Sequence, residues 1–98
     1  MSGRMWFTAT ITFDTGQIPA MKLRLPGPTF PKTHPWWLMG RVSQHVAEHG
    51  IAIKSAFLDS TPDNDRHGYP ERVVLKAAVD GTTVTGTLHL PDWIMGAA

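Results

Sequence analysis

Residues 35–49, PWWLMGRVSQHVAEH, are the one stretch of this chain with a helical repeat; the other patterned segments alternate with a period of two. Pro35 suits a first helical position, where its missing N–H would go unpaired anyway, and Thr33 or His34 precedes it as the N-cap. Gly50 can turn left-handed just past the last turn. His49 in that turn complements the helix dipole when protonated. At 100° per residue Met39, Val42 and Val46 share one side, flanked by Leu38 and Trp36, and this side is expected to be buried. Arg41, Gln44 and Glu48 oppose it, and Trp37 falls with them. Either the proline-rich segment before the helix covers the Trp37 ring, or the ring anchors a partner, as tryptophan often does. An exposed apolar ring is costly unless used, which favours the cover. Gly40, Ser43 and Ala47 form a third, small-residue stripe, expected to let the helix lie close to a sheet; the glycine costs about 1 kcal/mol against alanine.

Before the helix, residues 5–14 alternate: Phe7, Ala9, Ile11 and Phe13 point one way, Trp6, Thr8, Thr10 and Thr12 the other. This is a half-buried strand. The turn 14–17 leads to Met21, Leu23 and Leu25 alternating with Lys22 and Arg24, which completes a hairpin. Pro19 points to an edge position. Residues 26–34, with Pro26, Pro28 and Pro31, form a stiff connector.

After the helix, Ile51, Ile53, Ser55 and Phe57 alternate with Ala52, Lys54, Ala56 and Leu58, a third strand. Residues 59–72 read as a long polar loop broken by Pro62, Gly68 and Pro70, and loops of that length are often functional. Val73, Leu75, Ala77 and Val79 open a fourth strand. Asp80-Gly81 is a two-residue hairpin signal, and Val84, Gly86, Leu88 and Leu90 give the fifth. In the tail, 91–98, Trp93-Ile94-Met95 is apolar enough to fold back onto the domain or a neighbouring chain.

The order is ββαβββ. One helix cannot cover both faces of four or five strands, so a two-layer α+β domain is expected, with a mostly antiparallel sheet bare on one face. This element order resembles the β-grasp, or ubiquitin-like, arrangement, which implies one mixed sheet.

Ninety-eight residues make a single domain spanning 1–98, and a chain 42% hydrophobic and 17% charged can bury a core. There is no cysteine, so neither disulfides nor thiolate chemistry arise. No apolar run approaches the ~20 residues that span a membrane, and residues 1–6 lead into the first strand without a leader's apolar region. Cytoplasmic residence is the expectation. A net charge of +1 implies no bulk attraction to nucleic acid or acidic lipid.

The outward strand positions are rich in threonine and cations: Thr8, Thr10, Thr12, Lys22, Arg24, Lys54, Lys76, Thr83, Thr85, Thr87 and His89, with Trp6 at the margin. The carboxylates fall in turns, loop, tail and helix. Threonine favours strands and lysine discourages edge pairing, so a plainly solvated face explains much of this. Ala52, Ala56, Leu58, Val74 and Ala78 make part of the face apolar, which suits a protein partner or a second copy. Single-stranded nucleic acid, with lysines on phosphates and Trp6 as a stacking platform, ranks lower, because sheets that bind RNA in this way carry several rings.

Two constellations look chemical. His45-Val46-Ala47-Glu48-His49 fits the H-x-x-E-H of one metallopeptidase class, and residues four apart on a helix can share one zinc. A catalytic zinc needs a third protein ligand, and the chain is too short for such a protease domain, so His45 and His49 stand only as a weak metal pair. Asp63-Asn64-Asp65 begins like an EF-hand loop, but Val74 occupies the place of the bidentate glutamate. No nucleophile elbow or phosphate loop is present. The expected function is therefore a non-enzymatic protein-binding module without cofactor, of the inhibitor, adaptor or accessory kind. The candidate binding residues are Trp37 and Arg41 on the helix, Trp6, Lys54 and Lys76 on the sheet, and Asp63, Asp65 and Tyr69 in the long loop. Homodimerisation and nucleic-acid binding stand as alternative partnerships, and no membrane partner is expected.

Overall fold

The computed structural model describes residues 6–27, 30–60 and 71–91. The elements are β1 (Phe7–Phe13), β2 (Met21–Leu25), α1 (Phe30–Thr33, a single turn), α2 (Pro35–Glu48), β3 (Ile53–Ser60), β4 (Glu71–Ala77) and β5 (Thr83–His89). One long helix packs on a five-stranded sheet in the order β2-β1-β5-β4-β3. All four pairings are antiparallel, so the sheet is not mixed, although the element order is the ββαβββ read from the sequence. β2 and β3 consequently run the same way at opposite edges, and the α1–α2 segment crosses one face between them. β5, late in the chain, is the middle strand.

The period-two pattern explains the sheet. Phe7, Ala9 and Ile11 of β1, all of Met21, Leu23 and Leu25 in β2, Val73, Leu75 and Ala77 of β4, and Val84 and Leu88 of β5 are buried. Leu38, Val42 and Val46 close this core from α2. Pro35 opens the helix after His34, and Gly50 follows it at φ 94°. Pro19 precedes an edge strand, as its missing N–H requires.

Several details depart from the periodic reading. Trp36 is 81% exposed rather than a flank of the core. The buried stripe runs at spacing four through Leu38, Val42 and Val46, and Trp36 lies about 120° from its axis. Met39 is half-buried at that stripe's margin. Gly40 and Ala47 are exposed, so the small-residue stripe does not approach the sheet.

In β3 an irregularity between Ile53 and Ser55 shifts the register against β4, so that Ala56 and Leu58 turn inward and Phe57 outward, 57% exposed. A bulge spends one extra residue and inverts every side chain after it, which alternation counted from Ile51 cannot anticipate. The long loop is also shorter than 59–72. Asp59 pairs with Arg72 and Ser60 with Glu71, because backbone pairing continues past the point where apolar alternation stops. Asp59 thus puts a carboxylate on a face expected to hold none. The candidates Asp63, Asp65 and Tyr69, with the EF-hand-like run, lie outside the described residues, as do Trp93–Met95.

The β4–β5 connection is longer than two residues. The Ala77 N–H donates to the Thr82 carbonyl at 2.8 Å, Gly81 takes φ 73°, and Val79 is 93% exposed at the turn rather than inside a strand.

Candidate functional site

The face of the sheet opposite α2 carries no described element. Its side chains form rows across the strands, fixed by the register. Thr12 of β1, Thr87 of β5, Arg72 of β4 and Asp59 of β3 make one row. Thr85, Val74 and Phe57 make the next, and Thr83, Lys76 and Ser55 the one beyond. On the other side of the first row stand Lys22, Thr10 and His89, then Arg24 opposite Thr8.

Several of these groups hold one another in place. His89 Nε2 is hydrogen-bonded to Thr12 Oγ1 at 2.8 Å. The Arg24 guanidinium lies 5.9 Å from the Trp6 ring centroid, a cation–π distance, with Trp6 half exposed. Arg72 reaches Asp59 at 3.8 Å, a loose ion pair between partly exposed groups, while its Nε is covered and makes no hydrogen bond among the described residues. Among the described side chains of this face, Lys22, Arg24, Arg72 and Lys76 thus stand with a single strand carboxylate, Asp59. Asp14, in the turn after β1, is committed to the backbone N–H of Thr85 at 3.1 Å.

The helix candidates are placed differently. Trp37 is half-buried: Phe30 of α1 meets it edge-on at 5.1 Å between centroids, and the Arg41 guanidinium lies 5.9 Å from its ring. The proline-rich segment therefore covers Trp37, while its neighbour Trp36 is the bare ring. Lys54 is exposed within the β3 irregularity and Lys76 is exposed on the outer face.

His45 and His49 are both tied to backbone. The His45 Nε2–H donates to the Pro19 carbonyl at 2.8 Å, and the His49 Nδ1–H donates to the His45 carbonyl at 2.9 Å. The His45 ring also stacks on Phe13 at 5.5 Å. Glu48 accepts from Gln44 at 3.4 Å. Among the described residues no three His, Cys, Asp or Glu side chains converge on a metal position. His45 thus docks the end of α2 onto the β1–β2 hairpin.

Sequence reasoning missed Phe57, Arg72, Asp59 and Trp36. For Trp36 a signal existed: Leu38, Val42 and Val46 are a cleaner stripe than Met39, Val42 and Val46. For the other three, only the bulge and the extra strand pairs could have revealed the placement.

Comparison of the chain with protein-family models, curated proteins and solved structures gives no match. What the fold defines is a class: a small α+β domain with one covered and one bare sheet face. Among the described residues no helix is long and apolar enough to cross a membrane.

Proposed function

We propose that this chain is a non-enzymatic protein-binding module that engages its partner with the bare face of its sheet. One observation carries the reading: no described element packs on that face, and large rings stand at both of its margins, Trp6 beside Arg24 and Phe57 beside Val74. Exposed aromatics framed by threonine and arginine have the composition of a docking surface, apolar anchors within a polar rim. The test is affinity capture with the immobilised chain. A specific partner should be retained by the wild type and by Gln44→Ala, whose side chain lies on the helix, and lost with Trp6→Ala and Phe57→Ala. A partner held equally by all four proteins would place binding elsewhere.

A second reading has its own observation, the four cations against one carboxylate among the described side chains of the outer face. It makes the face a track for single-stranded nucleic acid, with Trp6 as a stacking ring. Retention on immobilised oligonucleotide that falls steeply between low and physiological salt, and falls further in Lys22→Ala, would favour it over a protein partner.

A further inference from the structure

The two edges of the sheet are built differently. At the β2 edge Lys22 and Arg24 point outward, with Pro19 shortly before the strand and Pro26 directly after it, all devices that discourage another strand. At the β3 edge the bulge, with Lys54 exposed inside it, guards only the start of the strand. From Ser55 to Ser60 the pairing with β4 is regular, and among the described residues no strand lies along the other side.

This open segment is apolar on both faces. Phe57 stands out on the outer face, and Ala56 and Leu58 are half-buried on the inner one. The helix adds to the inner side. Its His45 flank is bonded to Pro19 beside β2, so its opposite flank, with Met39, Ser43 and Trp36, is turned toward β3, against which α2 packs. The exposed Trp36 ring therefore lies toward the same edge of the sheet as the exposed Phe57 ring, on the opposite face.

We propose that a second copy of this chain docks on this edge, β3 against β3 antiparallel, with the twofold axis at Phe57. That register sets Phe57 opposite Phe57 of the second copy, where cross-strand aromatic pairs are favourable. Ala56 falls opposite Leu58 of the second copy, small against large. Ser55 falls opposite Asp59 of the second copy, so each Asp59 lies between its own Arg72 at 3.8 Å and the Lys76 that flanks Ser55 across the axis. Moving the axis to Ala56 or Leu58 sets Phe57 opposite Ser55 or Asp59 and loses the ring pair. The symmetric pairing Ser55–Asp59 falls wholly within the regular part of β3, Ser55–Ser60, clear of the bulge. Two sheets of five strands become one of ten, and the Met39–Trp36 flanks of the two helices face each other beneath it.

The proposal does not rest on the sheet-face reading: a strictly monomeric protein would end it and leave that reading standing. Sedimentation equilibrium of the full chain at roughly 100 µM, where an interface of ordinary affinity is saturated, should give twice the 10.8 kDa protomer mass. Phe57→Lys sets two like charges opposite each other and should raise the dimer Kd at least about tenfold, with an unchanged circular-dichroism melt at dilutions where both proteins are monomeric. A chain without native cysteine offers a second readout. Phe57→Cys should form a disulfide dimer under mild oxidation, since directly opposed antiparallel positions lie within disulfide reach, and Lys22→Cys on the other edge should not. A monomeric wild type at that concentration overturns the proposal. So does a dimer unaffected by Phe57→Lys, or faster crosslinking through Lys22→Cys.

Discussion

Truncating Trp37 removes a ring that packs edge-on against Phe30 and carries the Arg41 guanidinium, and the backbone of α1 cannot easily collapse into the space. Trp37→Ala should cost about 2 kcal/mol, below the range for a fully buried tryptophan because the ring is only half covered. Trp36→Ala, one residue earlier, should change stability by less than about 0.5 kcal/mol. Urea unfolding of the two variants checks the contrast, and equal losses would mean that the helix is rotated from its described position. Gly86 is a second sensitive point. It pairs with Phe13 across β1 and β5, and a Cβ built on it would come 2.9 Å from the Phe13 ring and 3.0 Å from Ile11 Cγ2. Phe13 is itself stacked on His45, so it has little freedom to retreat. Gly86→Ala should destabilise by about 1–3 kcal/mol, the usual cost of overpacking, and a neutral result would show that the ring can swing aside.

Among the elements, the β4–β5 turn titrates. The Asp80 carboxylate accepts from the Thr82 backbone N–H at 3.0 Å, and this bond, followed by one from the Thr82 side chain, holds its pKa below the usual value of 3.8. A carboxyl group whose folded pKa is depressed contributes stability above its unfolded pKa and loses it as pH falls through the folded one. The turn's contribution should therefore be intact above about pH 4 and vanish below it, within the acid range only. Asp80→Ala should flatten that part of the stability–pH curve and leave the shape near pH 7 unchanged, which thermal melts across pH 2–8 would register. Most elements were legible as periodic patterns: four of the five strands show their phase directly, and Pro35 and Gly50 mark the helix ends. The phase of β3 was not, because a bulge leaves no trace in apolar alternation when Ala56, Phe57 and Leu58 are all apolar in succession. The ends of β3 and β4 were hidden for a related reason: Asp59 and Arg72 look like loop residues until the ladder pairs them. Of the candidate face, the threonines, Lys22, Arg24, Lys76 and Trp6 could be assigned from alternation alone. Phe57 and the Arg72–Asp59 pair could not, since both depend on which strand lies beside which.

For the molecule as a whole, cohesion depends on β5. It lies between β1 and β4 and joins the hairpin at the start of the chain to the strands at its end. A protein truncated after Val79 would keep both helices, the β1–β2 hairpin and the β3–β4 pair, yet have nothing to connect the two halves of the sheet. It should show no cooperative thermal transition by circular dichroism, and a sharp melt would mean that the halves can close on each other without the middle strand. Contacts between β1 and β5 span most of the chain, so refolding of the intact protein should fall in the millisecond-to-second class of sheet proteins dominated by distant pairings.

A strand that is central in space and late in sequence sets a schedule for biosynthesis. At about 5–20 residues per second, Phe7 is polymerised on the order of 4–16 s before His89, its neighbour strand's last residue. During that interval the nascent hairpin holds Ala9, Ile11 and Leu23 with one flank unmatched, a natural target for ribosome-associated chaperones. Force-sensitive arrest-peptide measurements should accordingly show no folding tension until residues through 89 have left the ribosome, followed by a single abrupt pull.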